Sequence, residues 1–103
     1  MTFGEVWRLE RVRPGGTHLV VVLQDDLHQA LPTRVVAPLR SPSMLSRPVR
    51  GLHPVVMVEG GTWLVATHQL AALAVAEFDG LVADLSDERP ALLAAIDLLV
   101  TGI

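Results

Sequence analysis

The sequence predicts a small, mainly β domain that ends in one α-helix. Short runs rich in Val, Leu, Thr and aromatic residues alternate with Gly- and Pro-containing turns, as in antiparallel sheets. Residues 87–103 instead carry apolar side chains at helical spacing. Together these patterns are typical of a small barrel or strongly bent antiparallel sheet with a terminal helix packed on it. The length of 103 residues is that of a single domain, 1–103.

Five strands are predicted in the first two thirds of the chain, over residues 3–9, 17–24, 34–39, 53–58 and 62–67. Residues 19–23 are all Leu or Val, which favours a strand buried on both faces. The turns at residues 13–16 and 59–61 contain glycine pairs, and glycine tolerates the positive φ of tight hairpins. Residues 41–51 form a connecting segment with one helical turn near Met44.

The segment from Gln69 to Phe78 fits two structures. Its alanines favour a helix by propensity, but residues 73–78 fit a strand that ends at Asp79 and Gly80 equally well. Residues 81–85 are short and apolar and lead into the final helix. The total is therefore five or six antiparallel strands.

The final helix has its expected start and stop signals. Ser86 or Asp87 is a candidate N-cap, Pro90 suits the first turn, and Gly102 suits the left-handed C-terminus. One apolar stripe is expected to face the sheet, formed by Leu92, Leu93, Ile96, Leu99, Val100 and Ile103.

Composition excludes several classes of function. The chain has no cysteine, which excludes disulfides, thiolate metal sites and thiol catalysis. It has no lysine and a net charge of -3, and its eight arginines are spread out, so direct nucleic-acid binding is not expected. The N-terminal residues show no signal peptide and no apolar stretch could span a bilayer, which predicts a cytoplasmic protein without membrane contact. The 50% apolar share suggests a surface covered by a partner subunit.

No catalytic, cofactor or metal site is predicted. The four histidines, at positions 18, 28, 53 and 68, show no metal-ligand spacing and no nucleophile in a catalytic setting. Asp25 and Asp26 are adjacent and would point to opposite faces of a strand. The glycine pairs read as turns and not as phosphate-binding loops. Nothing in the sequence argues for an enzyme.

The end of the helix is a candidate contact surface. Ile103 follows Gly102 and is expected to carry the terminal carboxylate, whose charge adds to the negative end of the helix dipole. An apolar side chain beside negative charge would suit a partner that offers an apolar pocket rimmed by Arg or Lys. The alternative is a fraying end without a role.

Several motifs resemble the CcdB family of toxins, which poison DNA gyrase. The similarity runs nearly end to end, and Val82-Ala83-Asp84-Leu85-Ser86 and the strand Pro54-Val55-Val56 are its most specific parts. Further matching pieces are Val36-Ala37-Pro38-Leu39, Leu45-Ser46, Leu52-His53, Trp63, Ala95-Ile96-Asp97-Leu98 and Gly102-Ile103.

This resemblance implies an SH3-like barrel in which residues 73–78 form a strand and Trp63 belongs to the core. It also implies a homodimer with the two C-terminal helices side by side. Toxins of the family are not enzymes: they insert between the A subunits of gyrase and trap the cleaved-DNA state. A CcdA-like antitoxin wraps the toxin and removes it from gyrase.

Carried onto this sequence, the gyrase-binding residues are Asp97, Val100, Thr101, Gly102, Ile103, Leu27 and His28. Thr101 stands where the best-known family member has a Trp, and His28 replaces an aliphatic residue. An exposed Trp anchor contributes about 2 kcal/mol or more of binding free energy, and threonine cannot supply this. Three hypotheses follow: a gyrase poison, a toxin-derived antitoxin-binding dimer without toxicity, and a MazF-like ribonuclease, which typically needs a basic groove.

Overall fold

The computed structural model describes residues 1–13 and 17–102, without the side chains of residues 12, 13 and 17. The described residues form one α-helix and seven strands, joined by short 3₁₀ turns. These elements are β1 (Glu5–Arg13), β2 (Thr17–Val22), β3 (Thr33–Arg40), β4 (Val55–Val58), β5 (Gly61–Val65), β6 (Ala71–Ala74), β7 (Phe78–Asp84) and α1 (Arg89–Thr101). The predicted fold class, a mainly antiparallel sheet with a C-terminal helix, is confirmed.

The sheet curls into a half-barrel around β3. Its strand order is β4-β5-β3-β2-β1-β7, and every pairing is antiparallel. One edge of β3 is shared by two strands, since Thr33–Val36 pair with β6 whereas Leu39 and Arg40 pair with β5. Pro38 lies next to the change of partner and has no N–H to donate. The sheet therefore bends at this point and encloses the core.

Strand β2 is buried on both faces, as its sequence predicts. Leu19, Val21 and Leu23 lie in the main core, together with residues of β4, β5 and α1. Val20 and Val22 lie in a smaller cluster on the opposite face, with Leu9 and Val36. The apolar run at residues 19–23 thus holds two layers together.

The helix faces the sheet through a different line of residues from the one predicted. Leu92 and Ala95 are buried and Ile96 packs against the main core, whereas Leu93, Leu99 and Val100 are exposed. The predicted stripe is therefore wrong in part. Because α1 is apolar on most of its circumference, periodicity alone could not select the packed side, and the small Ala95 permits the close approach.

The start of the helix also differs from the prediction. Neither Ser86 nor Asp87 is the N-cap, since Ser86–Glu88 form a 3₁₀ turn and α1 follows it. The Asp84 carboxylate instead accepts a hydrogen bond from the Ser86 N–H at 2.8 Å. The other end agrees with the prediction: Gly102 adopts φ 77° and donates its N–H to the Leu98 carbonyl at 3.0 Å.

The ambiguous segment contains elements of two kinds. After β6 comes a 3₁₀ turn, Val75–Glu77, and then β7, which continues through Asp79 and Gly80. The expectation that a strand ends at Asp79-Gly80 is wrong, because β7 pairs with β1 on both sides of that point. Residues 81–84, expected only as a lead into the helix, belong to the same strand. The ladder with β1 outweighs the local turn signal.

The remaining turn predictions have mixed outcomes. Glu59 and Gly60 both have positive φ and join β4 to β5, and Pro42–Met44 form the expected helical turn. The hairpin turn predicted at residues 13–16 falls mostly outside the described residues, although Arg13 pairs with Thr17.

Trp63 packs against the main core, as the resemblance implied. No helix among the described residues is long and apolar enough to cross a membrane.

Gly4 should be far less tolerant of substitution than Gly60. Both have positive φ, but a Cβ on Gly4 would lie 3.2 Å from the Leu85 carbonyl carbon, whereas nothing lies within 4 Å at Gly60. We expect Gly4→Ala to lower the free energy of unfolding by about 2 kcal/mol or more, and Gly60→Ala by about 1 kcal/mol. Urea unfolding measures both. Equal losses would contradict the close approach at Gly4.

Candidate functional site

The end of α1 presents an exposed surface in which Val100 is the apolar side chain beside the Asp97 carboxylate. Asp97, Val100, Thr101 and Gly102 are all exposed, and Val100 retains 71% of its accessible surface. The Thr101 hydroxyl donates to the Asp97 carbonyl at 2.7 Å, so its donor is already used within the helix. The last turn carries no basic residue, and the negative end of the helix dipole is therefore not offset by a local cation. Ile103 lies outside the described residues.

The second part of the predicted surface is the loop after β2. Leu27 and His28 belong to a 3₁₀ turn, Asp26–His28, and the Leu27 side chain is 81% exposed. The Asp25 carboxylate accepts a hydrogen bond from the Leu27 N–H at 2.8 Å, and this bond lowers the pKa of Asp25. The turn is thus capped by a carboxylate that stays charged.

The loop lies toward the start of the helix. Arg89, the first residue of α1, stacks over the Phe3 ring at 4.6 Å, and its charge also favours the ionised form of Asp25. Val100 lies further along α1, by roughly 16 Å at the usual rise per residue. The predicted helix residues thus share the last turns of α1, whereas Leu27 and His28 belong to the turn after β2.

A pair of histidines forms a site that the sequence analysis missed. His53 Nε2 lies 2.8 Å from His68 Nδ1, and His53 Nδ1 accepts a hydrogen bond from the Val49 N–H at 2.8 Å. Because Nδ1 is an acceptor, a neutral His53 carries its proton on Nε2 and donates it to His68. Burial of His53, together with the neighbouring His68, lowers the pKa of His53.

The histidine pair has a structural role in this geometry. Neither ring is hydrogen-bonded to a hydroxyl in the part of the chain described, so no nucleophile is activated there. The pair ties the segment before β4 to the turn after β5, and Gly51 of that segment lies against Leu98 of α1. The β4–β5 hairpin is the signal that could have found the pair, because its register pairs Val55 with Leu64 and so brings the segments before β4 and after β5 together.

A groove lies on the face of the sheet opposite to α1, beside the smaller apolar cluster of Leu9, Val20 and Val36. It has a volume of about 260 Å³ and is lined mainly by apolar side chains, with Arg40 and Gln69 hydrogen-bonded at 3.1 Å. The groove can accept an apolar side chain and holds no catalytic group. Among residues 1–13 and 17–102, no three His, Asp or Glu side chains could together hold a metal ion.

The chain belongs to the CcdB family: the family model described as "CcdB protein" matches residues 5–102. This membership indicates a toxin of a toxin–antitoxin system.

Two solved structures share the fold. An "Endoribonuclease in complex with its cognate antitoxin from Mycobacterial species" matches with a TM-score of 0.78 and 12% identity, over 97% of this chain and 94% of that chain. The "Mycobacterium tuberculosis toxin MazF-mt6" matches with a TM-score of 0.68 and 17% identity, over 92% of each chain. At these identities the likeness concerns the fold alone.

The lowered pKa of His53 predicts a loss of stability in mild acid. Below the ordinary value of 6.5, the unfolded chain binds a proton that the folded chain resists, so the free energy of unfolding falls as pH falls. Unfolding of the wild-type chain at pH 7.5, 6.5 and 5.5 should show this slope. His53→Gln should flatten it, whereas His28→Gln, at an exposed position, should retain it. An unchanged slope in His53→Gln would contradict the assignment.

Proposed function

We propose that this chain is the toxin of a toxin–antitoxin system that binds the A subunit of DNA gyrase and traps the cleaved-DNA complex. Membership of the CcdB family over residues 5–102 is the observation that carries this proposal. The exposed end of α1 supports it, because that surface combines an uncovered apolar side chain with the negative end of a helix. Such a surface suits a pocket with basic residues at its rim.

The gyrase-binding surface in this proposal consists of Asp97, Val100, Thr101, Gly102 and Ile103, with Leu27 and His28 as a second patch. Val100 supplies the apolar contact, and Gly102, which already adopts a left-handed conformation, turns the chain out of the helix toward the partner. The toxin needs no catalytic group, since it acts by stabilising one state of another enzyme. It is therefore not itself an enzyme, and it uses no cofactor.

The active form in this proposal is a homodimer with its two C-terminal helices side by side. Leu93, Leu99 and Val100 leave apolar surface uncovered on α1, and a second copy of the helix would cover part of it. A dimer would also present two helix ends to the paired A subunits of gyrase.

A CcdA-like antitoxin is the proposed neutralising partner, and the cytoplasm, where gyrase acts, is the proposed location. One of the structures with this fold is an endoribonuclease in complex with its cognate antitoxin, which supports an antitoxin as partner.

Thr101 favours a second candidate function. Without the Trp anchor, the same scaffold could remain a dimeric antitoxin-binding protein that no longer poisons gyrase. RNA cleavage is the third hypothesis, and the fold shared with a ribonuclease keeps it as an outcome of the test.

A gyrase assay separates these functions. Purified wild type, Thr101→Trp and a variant lacking Gly102 and Ile103 are incubated with plasmid and gyrase from the source organism, and linear DNA is measured after detergent and protease. The proposal predicts linear DNA with the wild type and none after the deletion. Linear DNA with Thr101→Trp but not with the wild type would favour the antitoxin-binding protein that no longer poisons gyrase. No linear DNA with either, or RNA cleavage by the purified protein, would overturn the gyrase proposal.

Two valines of similar exposure provide a matched test of the contact surface. Val100 is 71% and Val55 is 59% exposed, and Val55 lies on β4. If Val100 becomes buried against gyrase, Val100→Ala should weaken binding to the A subunit by about tenfold, or about 1.4 kcal/mol. Val55→Ala should leave binding unchanged. Equal effects, or a loss only with Val55→Ala, would place the contact elsewhere.

A further inference from the structure

Arg34 is a buried cation that no carboxylate neutralises in the described structure. Its side chain is only 6% exposed, and no salt bridge joins it to an acidic residue within residues 1–13 and 17–102. Its guanidinium instead donates to three backbone carbonyls: Gln29 at 2.8 Å, Leu31 at 2.6 Å and Thr33 at 2.8 Å. Its Nε is buried and has no hydrogen-bond partner among the described residues.

Two of these carbonyls, those of Gln29 and Leu31, belong to the loop that presents Leu27, and the third belongs to Thr33, where the loop joins β3. A buried guanidinium is unfavourable unless polar groups surround it, so the loop must stay folded around Arg34 for the charge to remain stabilised. The planar fork of arginine spreads its donors over two terminal nitrogens in a fixed geometry, whereas the three donors of a lysine ammonium all lie on one nitrogen. Arg34 and the loop therefore hold each other in place.

Apart from the 2.8 Å bond from the Leu27 N–H to the Asp25 carboxylate, the other bonds given for the loop are longer than those of Arg34. The backbone bonds of the loop, from His28 to Asp25, Gln29 to Asp26 and Leu31 to His28, measure 3.1–3.2 Å. The Gln24 amide reaches the His28 and Thr33 carbonyls only at 3.4 and 3.5 Å. The Arg34 bonds are shorter and charge-assisted, and such bonds are about twice as strong as neutral ones. Arg34 thus makes the shortest bonds to residues 29, 31 and 33, and the Val75 N–H holds the Pro32 carbonyl at 3.0 Å.

We propose that Arg34 is a positioning residue that fixes the loop at residues 25–33, so that Leu27 protrudes as a preformed contact for gyrase. An exposed apolar side chain on a mobile loop loses conformational entropy on binding, whereas one on a fixed loop does not. Arg34 contacts no partner in this account and acts through Leu27. The expected effect on gyrase affinity rests on the proposed function. The clamp, meaning the set of hydrogen bonds by which Arg34 holds the loop, does not.

Amide hydrogen exchange tests the clamp without gyrase. Arg34→Met should speed exchange at His28, Gln29 and Leu31 by tenfold or more and leave Val20–Val22 unchanged; Arg34→Lys should be intermediate. Arg40→Met, which removes an arginine from the same strand, is the matched control and should leave the loop amides protected. If Arg34→Met does not fold, Arg34→Lys carries the comparison. Unchanged loop exchange in a folded Arg34 variant would overturn the proposal.

A double-mutant cycle tests the link to binding. Against the gyrase A subunit, Arg34→Met should weaken affinity about tenfold in the wild-type background and less than twofold when Leu27 is already Ala. A general structural effect would give the same loss in both backgrounds and would overturn the role through Leu27. If the wild type itself does not bind, the gyrase proposal and this role both fall, and exchange still decides whether Arg34 clamps the loop.

Discussion

The packing of Leu92 and Ala95 of α1 against the inner face of the curled sheet is the contact on which the rest depends. Leu92 lies among core residues from β1, β2, β3, β4 and β5, so the helix closes the open side of the half-barrel. Because Ala95 is small, the helix approaches the sheet closely along that line. Because α1 packs on the sheet through Leu92 and Ala95, Leu93, Leu99 and Val100 stay exposed on its other sides. These residues are therefore the apolar surface of α1 that a partner could contact.

The same scaffold supports different activities because function resides in its surfaces. Two of the solved structures with this fold are described as an endoribonuclease and a MazF toxin, at 12% and 17% identity. This chain has no lysine, and the end of its helix leaves Val100 exposed beside Asp97.

Local patterns predicted much of this structure, and three-dimensional packing decided the rest. The apolar run at residues 19–23 and the glycine at position 102 specify their conformations directly, and both predictions were correct. The packed side of α1 was not predictable, since the helix is apolar on most sides. The contact between His53 and His68 arises from the β4–β5 hairpin, which brings the two segments together. The bonds from Arg34 are local in sequence, but they depend on a loop conformation that no local pattern specified. The sequence indicated a contact surface at the helix end, and only the family resemblance assigned gyrase binding to its individual residues.

Hydrogen exchange on the complex with the gyrase A subunit tests whether the helix end and the loop form the binding surface. We expect gyrase to slow amide exchange at residues 97–102 of α1 and at residues 27–31 of the loop, while the β4 amides stay unchanged. Slowed exchange confined to β4 or to the groove on the opposite face, with none at the helix end, would contradict this expectation.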